Sequence, residues 1–216
     1  MEGESMSNHI ALLGDSIFDN RAYTDGDPDV VNHLRDIMPS PWRASLYAID
    51  GDVTTGLKAQ LEIVTRDVSH FVISVGGNDA LSNMDILATP VNSTTEALML
   101  FANRVAIFEE SYRSAIDEAL KYGLPTTICT IYNANLGPEV AALARIALMM
   151  FNDVILRVAF ERHLAVIDLR LICNEPADYA LEIEPSGRGG CKIAAAISSS
   201  ILGRDGSESR SRVFAG

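Results

Sequence analysis

Basic residues, aromatic residues and cysteines are all scarce in this sequence. Its 216 residues include 17 Lys and Arg against 29 Asp and Glu, which gives a net charge of −12. A chain with this charge is repelled by nucleic acids and by anionic membranes, so we expect neither as its main partner. No apolar run approaches the ~20 residues needed to span a bilayer, so we also expect no membrane insertion.

The cysteines are too few and too far apart for the usual metal or disulfide frameworks. Cys129, Cys173 and Cys191 are an odd number and form no close pair such as C-x-x-C. We therefore expect reduced thiols, no metal site and a cytoplasmic protein. Residues 1–7 have no basic start and no apolar run, which predicts no secretory signal. An acidic group that contains potential calcium ligands is interpreted as a solvated loop: Asp25, Asp27 and Asp29.

Short apolar runs alternate with helical patterns along the chain. Strands are predicted within residues 9–20, breaking at Gly14, and at residues 44–49, 69–75, 126–132 and 164–169. Helices are predicted at residues 29–38, 54–65, 94–122, 138–162 and 188–202. The alternation predicts a single-domain α/β protein, a three-layer α/β/α sandwich with about five parallel strands and flavodoxin-like topology. We expect the domain to cover residues 8–202, between a flexible N-terminus (1–7) and a disordered tail (203–216).

Residues suited to acyl transfer follow three of the predicted strands. Ser16 follows the first strand, Gly51 the second and Asn78 the third. Because open α/β sheets carry their sites at the carboxyl edge, we expect the three to lie together. A serine that attacks a carbonyl needs donors aimed at the developing oxyanion. The backbone N–H groups of Ser16 and Gly51 and the side-chain amide of Asn78 can supply them.

These residues lie in sequence blocks with a recognisable order. Gly14-Asp15-Ser16, then Gly51, then Gly76-Gly77-Asn78-Asp79 resemble the first three blocks of the SGNH (GDSL-type) hydrolase family. The resemblance covers residues 8–202 and implies the SGNH hydrolase fold. It also implies a serine esterase, lipase, thioesterase or carbohydrate-ester deacylase in which Ser16 forms an acyl-enzyme. Such an enzyme takes a small-molecule ester as substrate and needs no cofactor, since protein groups supply the oxyanion donors.

The fourth block departs from the family pattern of Asp-x-x-His followed by Pro. Glu184 stands before Pro185 where the family has its histidine, and Leu181 stands where it has its aspartate. We interpret the change as a Ser16–Glu184 dyad. Leu181 would remove a repelling carboxylate and desolvate Glu184, which raises the pKa of a carboxyl group toward the range of an effective base. Arg188 is given only a supporting role, since it would orient the Glu184 carboxylate but would also lower its pKa.

One other carboxylate and four histidines are further candidates for the base. Asp178 is the rival if the alignment of the loop slips. The histidines are not expected to replace the missing one, because three start predicted strands at the opposite edge and one lies on a helix leading away: His9, His70, His163 and His33.

Several further residues are given supporting roles. We predict substrate contacts for Asp15, Asp19 and Gly77, a bracing role for Asp79, and pocket walls from the loop at residues 81–92. The Met149-Met150 pair is interpreted as helix core. The alternatives to the enzyme are a pseudoenzyme or binding protein that keeps the pocket without efficient turnover and, less favoured, a flavodoxin-like regulatory domain. The sequence indicates no oligomeric state.

Overall fold

Five parallel strands form the central sheet of the computed structural model, which describes residues 8–203. In chain order they are β1 (His9–Gly14), β2 (Arg43–Leu46), β3 (His70–Ser74), β4 (Thr126–Cys129) and β5 (Ala165–Ile167). They lie side by side in the order β2-β1-β3-β4-β5, and every neighbouring pair is parallel. The sheet therefore has β1 near its centre, with the carboxyl ends of β2 and β3 on either side.

Helices cover both faces of this sheet. Within residues 8–203 they are α1 (Val30–Ile37), α2 (Leu57–Glu62), α3 (Gly77–Leu81), α4 (Thr94–Leu120), α5 (Pro138–Glu161), α6 (Leu169–Ile172) and α7 (Gly187–Leu202). Helices α2, α4 and α5 pack on one face, and α1, α6 and α7 pack on the other. The predicted three-layer α/β/α sandwich with five parallel strands is confirmed. None of the helices in this part of the chain combines the length and apolar character needed to cross a membrane.

The strands are buried on both sides, as expected for a parallel sheet. Every residue of β1 is buried; Ala11 and Leu13 belong to the core under α2, α4 and α5, while Ile10 and Leu12 belong to the core under α1 and α7. This alternation follows from the two-residue period of a strand. The terminal segments predicted to be flexible or disordered lie outside the described residues, apart from Gly203.

The connections contain more structure than the sequence patterns suggest. The predicted helix at residues 54–65 is a 3₁₀ turn (Thr54–Gly56) followed by α2, and a 3₁₀ helix (Met84–Ala88) lies in the segment predicted as a loop. The loop between α6 and α7 contains a small antiparallel hairpin of β6 (Tyr179–Ala180) and β7 (Glu184–Pro185). The interpretation of Met149 as core is wrong: its side chain is 60% exposed, because the first half of α5 does not pack on the sheet.

The end of β1 approaches β3 so closely that only glycine fits. Gly14 has φ of 130°, and a Cβ atom there would lie 1.7 Å from the carbonyl oxygen of Ser74. Gln60 satisfies both peptide groups of Gly14: its Oε1 accepts the N–H at 2.8 Å and its Nε2 donates to the carbonyl at 2.7 Å. The residues after Gly14 are therefore held in a fixed position relative to β3 and α2.

We expect Gly14→Ala to prevent folding or to lower the free energy of unfolding by at least ~4 kcal/mol, because the clash is with backbone. The matched control is Gly26→Ala, where φ is also positive (94°) but a Cβ atom would meet nothing within 4 Å. In that variant, backbone strain alone should lower the free energy of unfolding, by ~1–3 kcal/mol. Chemical denaturation gives the free energy of unfolding of each variant. Equal decreases in the two variants would show that the clash at Gly14 is absent.

Candidate active site

An apolar cleft opens at the carboxyl end of the sheet, beside the end of β1. Its cavity volume is about 350 Å³. The polar residues at its inner end come from separate parts of the chain: Asp15, Ser16, Asn78 and Glu184. The structure thus brings four of the predicted site residues to one cavity. Gly77 also lines it, whereas Gly51 and Asp19 are not part of its wall.

Ser16 lies in a tight turn that follows β1. The N–H of Asp15 donates to the carbonyl of Ser74 at 3.1 Å, and the carbonyl of Asp15 accepts the N–H groups of Phe18 and Asp19, each at 3.1 Å. The side chain of Asp15 closes the turn, since its Oδ1 accepts the N–H of Ile17 at 3.1 Å. This pattern is an Asx turn, which explains how Ser16 is presented at the cleft.

Glu184 reaches the cleft from the β6–β7 hairpin. Two contacts fix the approach of that hairpin: the hydroxyl of Tyr132 donates to the carbonyl of Ile183, and the side-chain amide of Asn20 donates to the carbonyl of Pro185 at 3.1 Å. Asn20 is completely buried and its Oδ1 also accepts the N–H of Val30, so it joins the hairpin to the start of α1. The backbone carbonyls on either side of Glu184 thus hold the hairpin in place.

The carboxyl group of Glu184 is in an unusual electrostatic environment. Burial raises its pKa above the ordinary value, the Ser16 hydroxyl lowers the pKa by hydrogen bonding, and the negative charge of Asp50 raises it. Its Oε2 is buried and has no hydrogen-bond partner among residues 8–203. A buried acceptor without a partner is uncommon in folded proteins.

The role predicted for Leu181 is wrong. Its side chain is 76% exposed, and its φ is 48°, because it lies with Glu182 in the turn of the hairpin. Leu181 therefore cannot desolvate Glu184. The residues that do border the cleft beside Ser16 and Glu184 are their own neighbours, Ile17 and Ile183.

Asn78 occupies the first turn of α3 and faces the cleft. Its Nδ2 donates one hydrogen bond to the carbonyl of Asp52 at 2.8 Å. An amide nitrogen carries two hydrogens, so one remains for a ligand. The adjacent Asp79 has the bracing role that the sequence predicts: its Oδ2 accepts the N–H and the hydroxyl of Thr54, at 2.9 and 2.8 Å.

The loop that carries Gly51 is tethered on both sides of the glycine. The N–H of Asp50 donates to the side chain of Asp19 at 3.0 Å, and the carbonyl of Asp52 accepts from Asn78. Gly51 itself is exposed with φ of 79°. Asp19 therefore contacts the Gly51 loop, and Asn78 contacts it from the other side.

Asp15 has a strongly perturbed carboxyl group. Its pKa is raised from 3.8 to about 8, chiefly by burial and to a smaller extent by the negative charges of Glu184 and Asp79, while the hydrogen bond from Ile17 acts in the opposite direction. Near neutral pH, Asp15 is accordingly mostly protonated. Gly77 lies next to it, since a Cβ atom at Gly77 would be 3.8 Å from Oδ2 of Asp15.

Asp178, the rival to Glu184, is held in an ion-pair cluster outside the cleft wall. Its fully buried side chain pairs with Lys192 at 2.7 Å and Arg188 at 3.4 Å, and it accepts the N–H groups of Asn174 and Glu175. Although burial opposes ionisation, the hydrogen bonds and Lys192 hold its pKa below the ordinary value. The orienting role predicted for Arg188 is also wrong, because its guanidinium pairs with Asp178 and Glu175 instead of Glu184.

The four histidines have partners away from the cleft. His9 contacts Ser45 and Asp67, His33 contacts the carbonyl of Gly187, and His70 packs against Trp42. His163 lies two residues before β5, at the opposite edge of the sheet from Ser16. Within residues 8–203 no group of three or more His, Cys, Asp or Glu side chains is arranged to hold a metal ion.

Sequence reasoning missed the residues that hold the site and those that form most of the cleft. Gln60 and Asn20 are buried amides. In the sequence, the only indication of their role is that each polar side chain lies within an apolar segment or a turn segment. The outer cleft wall consists of one face of α5, where Val140, Ala144 and Leu148 recur at helical spacing. The loop at residues 81–92 does contribute walls, as predicted.

Several solved structures share this fold. The lipase Lip_vut3 from a goat rumen metagenome has a TM-score of 0.71 at 18% identity, with 91% of this chain and 98% of that chain covered. An extracellular lipase from Streptomyces rimosus has a TM-score of 0.66 at 16% identity (89% and 99% covered). An acetyl xylan esterase from Geobacillus stearothermophilus has a TM-score of 0.63 at 21% identity (90% and 94% covered). At these identities the likeness shows the fold alone.

A comparison by sequence identifies the family. No curated protein matches this chain significantly. The model of the GDSL-like lipase/acylhydrolase family matches residues 12–189, a span that includes the Ser16 turn, Asn78 and Glu184. The chain therefore belongs to the GDSL-like lipase/acylhydrolase family and is a hydrolase that acts on ester bonds.

Proposed function

We propose that this chain is a serine hydrolase that cleaves a small ester or related acyl substrate, with Ser16 as the nucleophile and Glu184 as the base. The observation that carries the proposal is that Ser16 and Glu184 line the same cleft, where the Ser16 hydroxyl lies close enough to lower the pKa of the Glu184 carboxyl. The buried Oε2 of Glu184 has no partner among the described residues. A carboxylate oxygen in this state is available to accept the hydroxyl proton.

The reaction would proceed by two acyl transfers. Oγ of Ser16 forms a bond to the carbonyl carbon of the substrate while its proton passes to Glu184, and the carbonyl oxygen becomes an oxyanion. Collapse of this intermediate breaks the ester C–O bond, and Glu184 returns the proton to the departing alcohol. Water then attacks the acyl-enzyme, Glu184 accepts a proton from it, and Ser16 regains that proton as the carboxylic acid leaves.

Three protein groups are suited to stabilise the oxyanion. In the described part of the chain, the backbone N–H groups of Ser16 and Gly51 donate to no acceptor, and Asn78 has one amide hydrogen unused. The tethers from Asp19 and Asn78 to the residues flanking Gly51 support its approach to the nucleophile. Preorganised donors of this kind need no metal ion to stabilise the developing charge.

The protonation states of the Glu184 and Asp15 carboxyl groups also favour Glu184 as the base. A base works best when its pKa lies near the working pH, and burial moves the pKa of Glu184 in that direction. Asp15, with a pKa of about 8, stays mostly neutral at pH 7. It therefore adds little negative charge beside Glu184, and the dyad keeps a single carboxylate next to the nucleophile.

We expect a fluorophosphonate probe to label the wild-type protein and Ser74→Ala but not Ser16→Ala. Ser74 is the matched control, since it is a second buried serine in the wall of the same cleft. Hydrolysis of p-nitrophenyl butyrate by Ser16→Ala should fall by at least ~10³-fold. Labelling that persists in Ser16→Ala would reject Ser16 as the nucleophile, and a wild type without labelling or turnover would support the binding-protein alternative.

We expect Glu184→Gln to lower kcat by about 10²–10⁴-fold, because the hydroxyl proton then has no acceptor. Glu182→Gln, which changes an exposed carboxylate in the same hairpin, should retain wild-type kcat. In the wild type, kcat/KM should fall as the pH drops through the pKa of Glu184, which burial raises above the ordinary value of 4.5. Unchanged hydrolysis by Glu184→Gln would contradict the assignment.

We expect Asp15→Asn to stabilise the protein, and more strongly at pH 8 than at pH 5. Between the unfolded pKa of ~3.9 and the folded pKa of about 8, the unfolded wild type releases a proton that the folded state retains. The wild type therefore loses stability across this interval, whereas the variant has no such loss. Tm measured against pH for Asp15→Asn and for Asp19→Asn checks this; a gain independent of pH would show that Asp15 is ionised in the folded protein.

A further inference from the structure

The first halves of α4 and α5 carry apolar side chains on a surface that the rest of the described chain leaves uncovered. Residues 94–107 and 138–150 include no buried residue. Six of them form what is named here the α4–α5 face, and its five large side chains are each 55–65% exposed. None of the six lines the cleft that leads to Ser16. They are Leu98, Met99, Ala102, Leu143, Ile146 and Met149.

The α4–α5 face lies on the sides along which the two helices contact each other further on. On α4, Leu98, Ala102 and Glu109 follow one another at intervals of four and seven residues, so they share one side of the helix. On α5, Ile146 and Arg157 are eleven residues apart and share a side for the same reason. Glu109 pairs with Arg157 at 2.8 Å, which joins these sides in the second halves of the helices. In the first halves the same sides are apolar and exposed.

The size of the α4–α5 face suits a protein interface. At about 100 Å² for each large side chain, its apolar area is on the order of 500 Å². Few monomeric proteins expose a larger apolar patch, and patches of this size mark interaction sites. A stable dimer buries about 800 Å² on each partner, with an apolar core inside a polar rim. The face has the area of such a core, and exposed polar neighbours such as Asn103 can form the rim.

The charge of this region permits contact between two copies of the chain. The chain as a whole has a net charge of −12, which opposes the approach of a second copy. Residues 94–107 and 138–150 contain two acidic residues, Glu96 and Glu139, and two basic residues, Arg104 and Arg145. Their net charge is zero. Two copies can therefore meet through this region without the repulsion that acts over the acidic remainder of the surface.

The composition of the same region favours a protein partner over a lipid surface. Amphipathic helices that bind membranes use Lys, Trp and Tyr at the level of the headgroups. Residues 94–107 and 138–150 contain none of these three residue types. They contain three methionines, a residue type that is enriched in protein interfaces.

We propose that the α4–α5 face binds the same face of a second copy of this chain and so forms a two-fold symmetric dimer. A two-fold arrangement needs only one self-complementary surface, and it covers the apolar side chains of both copies at once. The first halves of α4 and α5 from the two copies then pack helix against helix. The proposal is independent of the catalytic roles of Ser16 and Glu184, since no residue of the face lines their cleft.

Sedimentation equilibrium of the full chain tests the dimer. We expect the wild type to have twice the mass of one chain, which is 23.4 kDa. Ile146→Glu should raise the dissociation constant of the dimer at least ~100-fold, because each copy then places an unpaired charge in the apolar contact. The matched control is Ile63→Glu, since Ile63 is 65% exposed at the end of α2, outside the face. Its dimer should dissociate as the wild type does. Far-ultraviolet circular dichroism verifies that both variants are folded.

Three other outcomes would overturn the proposal. The first is a wild type that stays monomeric up to ~100 μM. The second is a dimer that Ile146→Glu and Ile63→Glu weaken equally. The third is a monomeric wild type that binds phosphatidylcholine vesicles while Ile146→Glu does not, which would assign the face to a lipid surface.

Oxidation of methionine by hydrogen peroxide locates the contact within the dimer. Met99 and Met149 belong to the α4–α5 face and are 57% and 60% exposed, whereas Met84 is 53% exposed in the wall of the cleft. At a concentration at which the wild type is a dimer, Met99 and Met149 should be oxidised at least ~fivefold more slowly than in Ile146→Glu. Met84 is the control and should react at the same rate in both proteins. Equal rates for Met99 and Met149 in the two proteins would place the contact elsewhere and overturn the proposal.

Discussion

The contact between the ends of β1 and β3 governs the geometry of the active end of this protein. Gly14 lies against the carbonyl of Ser74, and Gln60 satisfies the peptide groups of Gly14 from α2. Nε2 of Gln60 also reaches the side chain of Asp52, at 2.7 Å, so the same buried amide holds the loop that carries Gly51. A fully satisfied buried network of this kind fixes one arrangement of its members. The Ser16 turn and the Gly51 loop are thus fixed by a single side chain remote from both in sequence.

Electrostatics constrains the same region. Four carboxyl groups influence one another there: the charges of Glu184 and Asp79 raise the pKa of Asp15, and the charge of Asp50 raises the pKa of Glu184. Like charges in a desolvated site cannot all be ionised cheaply, so one of the carboxyls keeps its proton. Asp15 is the most buried and is the one driven furthest toward the neutral form. Its turn-forming hydrogen bond uses Oδ1 as an acceptor, which a protonated carboxyl still provides.

The sequence predicts the sheet and the carboxyl-edge residues well for identifiable reasons. Buried strands are short apolar runs, and glycine ends β1 and precedes α3, so Ser16 and Asn78 could be located at strand ends. Glu184 could be identified by its position before Pro185. The environment of Glu184 could not be predicted from the sequence, because Leu181 adopts a positive φ in a hairpin turn that no local pattern indicates.

The cleft could not be predicted from the sequence either. An apolar helix segment has the same sequence pattern whether it covers a core, lines a cavity or is exposed, and for this reason the pattern predicts core at the Met149-Met150 pair although Met149 is exposed. What distinguishes a cavity from a core is the position of the opposite wall. That wall depends on where Phe108 meets Phe151, a tertiary contact between residues in separate helices.

The apolar cleft and the proposed role of Glu184 as the base are physically connected. Histidine can act as a base near neutral pH when it is solvated, because its ordinary pKa of ~6.5 is already suitable. A glutamate needs desolvation to reach that range, and desolvation raises the pKa of Glu184 here. A substrate that fills the cleft would exclude further water from the same cavity and would make the Glu184 carboxylate more basic. Binding of the substrate would therefore strengthen the proposed base at the moment when the Ser16 proton has to be accepted.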